Sequence, residues 1–131
     1  MARLELDVTV ETLRLAQPFR ISGYVFTSSD VVVVTLRDGD LQGRGEGGGV
    51  YYLGDDVPHM LQAIGAARLA IEAGPTREEL RSIMPAGGAR NAVDCALWEL
   101  EAARAGKPVW KLAGQSAPQP LRTTFTLGAD S

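Results

Sequence analysis

The spacing of apolar residues changes once along this chain, from a period of two to a period near 3.6, and that change restricts the fold more than any other feature. Between Arg3 and Val10 the apolar side chains fall at Leu4, Leu6, Val8 and Val10, as in a strand with one buried face. Val31-Val32-Val33-Val34-Thr35-Leu36 is β-branched and nearly continuous, which predicts a central strand, and Asp38-Gly39 then signals a tight turn returning through Leu41 to Glu46. From Val57 onward, Val57, Met60, Leu61, Ile64, Ala67 and Ile71 recur at three- and four-residue steps. Strands followed by helices predict an α+β fold: a three-stranded antiparallel meander and then three helices.

Local signals refine that outline. Beyond Glu11 the strand phase shifts to Leu13 and Leu15, which predicts a bulge near Glu11 and Thr12 that restores a common buried face. Gln17 to Phe26 reads as a connection too long for a tight hairpin and too aromatic for a plain solvated loop. Asp55 or Asp56 is placed to cap the first helix, with Pro58 in its first turn and Gly74-Pro75 as its stop. Thr76 and Glu79 resemble a capping box opening a short helix to about Met84. A third helix is expected from about Gly88 to Ala105, with Ala89, Ala92, Val93, Ala96, Leu97, Leu100 and Ala103 on one stripe. Pro108 to Leu112 reads as a short turn, Gly114 to Pro120 as a linker, and Leu121 to Leu127 as one more strand.

Composition narrows the partners. The 131 residues, 45% hydrophobic and 22% charged, suit one globular core, and thirteen basic against sixteen acidic residues leave a net charge of −3. No basic run is present to neutralise phosphates, so neither nucleic acid nor an anionic membrane is an expected partner. A single cysteine, Cys95, and an N-terminus that alternates charge with apolarity point to a cytoplasmic protein. Small molecules or proteins are the expected partners, and a homo-oligomer is left open.

Gly43-Arg44-Gly45-Glu46-Gly47-Gly48 matches the G-x-G-x-x-G spacing, yet Val50-Tyr51-Tyr52-Leu53-Gly54 follows it and no helix is expected before about residue 56. A dinucleotide site needs those glycines to open a helix toward a pyrophosphate, so the motif is set aside. His59 reads as a solvent-facing helical residue and Cys95 as a core residue. Lys107 and Lys111 read as charges near a helix C-terminus. Asp94, Glu99 and Glu101 read as a solvated face pairing with Arg90 or Arg104. Two segments resist so plain a reading: Pro18-Phe19-Arg20-Ile21 with Tyr24 and Phe26, and Gly47-Gly48-Gly49-Val50-Tyr51-Tyr52. Aromatics on glycine-rich loops either line a ligand pocket with one guanidinium or cover the helical layer.

From Ala89 through Asp94, Leu97-Trp98-Glu99-Leu100, Gly106-Lys107-Pro108 and Trp110-Lys111-Leu112-Ala113-Gly114, the chain closely resembles the signature helix of the mandelate racemase and muconate lactonizing enzyme branch of the enolase superfamily. The meander, the interrupting loop and the Gly-Arg-Gly-Glu strand end resemble that family's N-terminal capping domain. Pro18-Phe19-Arg20-Ile21-Ser22, Gly43-Arg44-Gly45-Glu46 and Thr123-Thr124-Phe125-Thr126-Leu127 are most similar to the dipeptide epimerases.

The resemblance implies a two-part enzyme in which residues 1–114 form the cap and 115–131 are a linker and the first strand of a modified (β/α) barrel. In such an enzyme Mg²⁺ held by barrel carboxylates stabilises an enediolate while two lysines exchange the α-proton. It also implies that Phe19, Arg20, Ile21 and Tyr24 belong to a first specificity loop, Tyr51 and Tyr52 to a second, and Thr126 to the pocket end of the first barrel strand. A barrel needs about 200 residues or more, so the chain is expected to be a fragment without catalytic or metal-binding residues of its own, and inactive alone. An N-acylamino-acid racemase cap, a muconate-type cycloisomerase cap and a non-catalytic interaction domain are the alternatives.

Overall fold

The computed structural model describes residues 3–127. Strands β1 (Glu5–Ile21), β2 (Tyr24–Asp38) and β3 (Leu41–Gly47) form an antiparallel sheet in the order β1-β2-β3. A 3₁₀ turn at Tyr51–Leu53 leads to helices α1 (Val57–Glu72), α2 (Arg77–Ile83), α3 (Gly88–Ala105) and the single turn α4 (Val109–Leu112). The helices pack on one face of the sheet, and Leu4, Leu6, Val32, Val34 and Leu36 meet Met60, Ile64, Leu80, Val93 and Leu100 in one core.

The helix boundaries follow local chemistry. Asp56 caps α1 by accepting the His59 amide, and the Thr76–Glu79 capping box is complete in both directions. Gly106 ends α3 in the left-handed conformation.

The connection read as a loop between the first two strands is instead a long β-hairpin. Ser22-Gly23 is its turn, and Gly23 supplies the φ of 81° that a residue with a Cβ rarely adopts. The expected bulge near Glu11 and Thr12 is absent: pairing runs without a break from Glu5↔Arg37 to Arg14↔Ser28, and the register shifts only between Arg14 and Phe19. The hairpin extends past the helical layer, so nothing lies beneath it to bury a common face. Leu4 and Leu6 are buried and Val8 partly so, whereas Val10 is 46% exposed and Leu13 and Leu15 are exposed as well.

Leu121 to Leu127, expected as a strand of the barrel, has no regular structure here and pairs with none of β1, β2 and β3. Two further expectations are corrected. Cys95 is exposed instead of buried, since it lies about 100° around α3 from the adjoining Ala96 that faces the sheet. Ala102 replaces Ala103 on the buried stripe: Gly43 already sits against Ala96 and Leu100, and β3 begins only at Leu41, leaving nothing over Ala103.

The glycine-rich strand end has a packing role. Gly43, Gly45 and Gly47 alternate on the buried face of β3, and a Cβ on them would overlap the backbone carbonyl oxygens of Ala96, Ala92 and Gly88 respectively. With no side chain on the strand and alanines on the helix, α3 lies against β3 backbone to backbone. The charges expected to pair along α3 reinforce other contacts instead: Arg104 bonds Asp38 at 2.8 Å, Glu101 bonds Arg77 of α2 at 2.6 Å, and Glu99 accepts the Arg44 amide. Arg90 donates to the Met84 carbonyl.

Candidate functional site

The two aromatic segments come together. Beyond the register shift the hairpin pairs Phe19↔Phe26, Arg20↔Val25 and Ile21↔Tyr24. Directly paired residues share a face and successive residues alternate, so Phe19, Ile21, Tyr24 and Phe26 lie on one side and Arg20 and Val25 on the other. The second segment closes on itself through a bridge between Val50 and Asp55, with the Leu53 and Asp55 amides donating to the Val50 carbonyl at 3.0 and 3.2 Å. That turn carries Tyr51 to the hairpin tip. Its ring meets Tyr24 edge-on at 4.7 Å, Phe26 at 5.6 Å and Tyr52 at 5.2 Å, while Tyr24 and Phe26 stack at 6.0 Å.

None of these rings belongs to the core, which rules out the reading in which they cover the helical layer. Phe26 is a full member of the cluster, a role visible only once the hairpin register is known. Arg20 is set apart from the rings. Asp55 and Asp56 are otherwise engaged: Asp55 accepts from the Gly88 amide and the His59 side chain, and Asp56 from the His59 amide. Thr126 is exposed in a segment without regular structure.

Below the second turn, an open depression of about 570 Å³ is lined by Gly49, Val50, Leu53, Asp55, His59 and Asn91. Asp55 is its most perturbed group. The Gly88 amide, then the hydrogen bond from His59, hold its carboxyl below the ordinary carboxylate range. His59 Nδ1 lies 2.9 Å from the Asp55 carboxylate, so an exposed histidine is nonetheless oriented. At Cys95, desolvation and then the Asp94 carboxylate push the thiol up, which keeps it protonated and a poor nucleophile at neutral pH.

The arrangement can enclose an apolar or aromatic surface; among the described residues no group of three or more His, Cys, Asp or Glu side chains is placed to hold a metal ion. The resemblance implies a Mg²⁺ held by barrel carboxylates, and the described residues offer no such ligand set. No helix among the described residues is long and apolar enough to cross a membrane.

Comparison with known proteins agrees with this architecture. The L-Ala-D/L-Glu epimerase of Escherichia coli strain K12 is 37% identical over 122 residues, which cover 93% of this chain. An enolase family member from Agrobacterium tumefaciens with homology to dipeptide epimerases, solved with bound sodium and L-Ala-L-Glu, is 42% identical with a TM-score of 0.88 over 97% of this chain. The dipeptide epimerase of Methylococcus capsulatus, complexed with Mg and the dipeptide L-Arg-D-Lys, is 28% identical with a TM-score of 0.85 over 99% of this chain. The chain spans only 38%, 39% and 39% of the length of these three proteins. Residues 3–114 match the family model of the mandelate racemase / muconate lactonizing enzyme N-terminal domain, and the chain belongs to that family of the enolase superfamily.

Proposed function

We propose that this chain is the substrate-capping domain of a racemase or epimerase, and that the intact enzyme is a Mg-dependent dipeptide epimerase working by α-proton abstraction. The observation that carries this reading is the convergence of two separate segments, the hairpin tip and the Tyr51–Tyr52 turn, into one half-open aromatic cluster outside the core. Core packing does not require such a cluster, whereas a wall over a small apolar substrate does. In this reading Phe19, Ile21, Tyr24, Tyr51 and Tyr52 exclude water from one side of a bound dipeptide. Arg20, at the rim on the other face of the hairpin, meets a remote carboxylate through two parallel hydrogen bonds, which lysine cannot make. Thr126 is assigned to the segment that follows the cap. Mg²⁺, when bound in the intact enzyme, would stabilise the charge that develops as the α-proton leaves, and its ligands are placed outside this chain.

The test uses two proteins. The 131-residue chain should give no α-deuterium incorporation into L-Ala-L-Glu in D₂O, with or without added Mg²⁺. A hybrid in which residues 3–114 replace the matching part of the E. coli epimerase should epimerise the dipeptide. Within the hybrid, Arg20→Met should raise KM more for L-Ala-L-Glu than for L-Ala-L-Leu. Deuterium incorporation by the chain alone would overturn the capping role, and an equal change for the two dipeptides would remove Arg20 from the specificity assignment.

A further inference from the structure

The Tyr51–Tyr52 turn is tied to the helices through one side chain. Asp55 closes the turn as the bridge partner of Val50, and its side chain, 12% exposed, sits between α1 and α3. One carboxylate oxygen accepts the amide of Gly88, the first residue of α3, at 2.8 Å, and the other accepts from His59 Nδ1 of α1 at 2.9 Å. The neighbouring Asp56 is occupied differently, capping α1 through the His59 amide.

A second observation, independent of these bonds, concerns space. Gly49 has a φ of 70°, and a Cβ there would overlap the Asp55 carbonyl oxygen. A Cβ on Gly88 would lie 2.6 Å from Met60 Sδ and 3.0 Å from the Gly49 nitrogen. The entry to the turn, its exit and the start of α3 thus meet at one point that only glycines allow to close.

We propose that Asp55 is a positioning residue, holding the turn that carries Tyr51 and Tyr52 against α3 and so setting where those rings meet the hairpin tip. The benefit to a bound substrate rests on the capping role; the positioning itself does not. The titratable and charged groups around Asp55 are His59 from α1 and Asp56 beside it, with the amide end of α3 facing it from the other side. Its carboxyl is held below the ordinary range. The tie is therefore complete above that range and is lost as pH falls through the lower folded value.

Amide hydrogen exchange and ring-to-ring contacts measured by NMR on the 131-residue chain test this directly. Asp55→Ala should speed exchange, relative to the intrinsic rate, about tenfold or more at Leu53, Gly54 and position 55, the effect expected from losing hydrogen bonds to an ionised group. It should also erase the Tyr24–Tyr51 contact while leaving Val32 and Val34 protected. Asp55→Asn keeps an acceptor for the Gly88 amide but cannot titrate. It should lack the loss of turn protection that the native chain shows as pH falls below the ordinary carboxylate range. Unchanged turn protection in Asp55→Ala, an equal loss in β2, or the same acid loss in Asp55→Asn would each overturn the proposal. No readout involves substrate, so failure of the capping role leaves these outcomes unaffected.

Discussion

Two junctions in this molecule obey opposite packing rules. At the seam between β3 and α3, Gly43, Gly45 and Gly47 face Ala92, Ala96 and the α3 backbone with no room for a methyl group. At the hairpin tip, four aromatic rings touch at centroid distances of 4.7 to 6.0 Å, yet Tyr51 stays 48% exposed. A backbone contact cannot relax by changing a rotamer, whereas ring contacts open to solvent can. The seam therefore sets stability, and the tip is free to be tuned for a ligand.

The strongest way to break this comparison is Gly45→Val. Its Cβ would strike the Ala92 carbonyl and the Ala96 nitrogen, so the loss should be at least about 3 kcal/mol in urea denaturation, or the chain should fail to fold. A loss under about 1 kcal/mol would show that the seam can open. Removing bulk from the same helix should cost somewhat less. Leu100→Ala leaves a cavity beneath β3 that neighbours partly fill, with an expected loss of about 2 to 3 kcal/mol by the same measurement.

At the tip the effects should be smaller. Tyr51→Ala removes three ring contacts from a half-exposed position and should cost about 1 kcal/mol, measured as a small shift of the urea midpoint. A cost equal to that of Leu100→Ala would erase the distinction between the two regions. Arg20→Met, on the opposite face of the hairpin, should leave stability within about 0.5 kcal/mol while still altering KM for acidic dipeptides in the hybrid enzyme.

Much of the fold was legible because its signals are local. The Thr76–Glu79 box and the span of α3 follow from short-range hydrogen bonding and a 3.6-residue period, and both stand in the structure. The hairpin was misread as a loop because its apolar residues lack strict alternation, and Gly23 alone does not reveal pairing between strands that overrun the sheet. Leu121 to Leu127 alternates acceptably, but such a pattern forms a strand only beside a hydrogen-bonded neighbour, and β1, β2 and β3 provide none. Of the candidate site, the residue types were visible and their faces were not. Arg20 falls opposite the rings because register, not composition, decides the side of a hairpin.

By itself, then, the sequence determined the order and type of the elements, since periodicity, caps and turn residues act over a few positions. Glycines recur at every second residue from Gly43 to Gly47, but that this row faces α3 was decided by packing. Only the tertiary structure decided that Tyr24 meets Tyr51, that Asp55 reaches the start of α3, and that Cys95 faces solvent. Each of those outcomes depends on contacts between segments distant in the chain or on the rotation of a helix against its sheet, and such geometry is settled by packing the whole core at once.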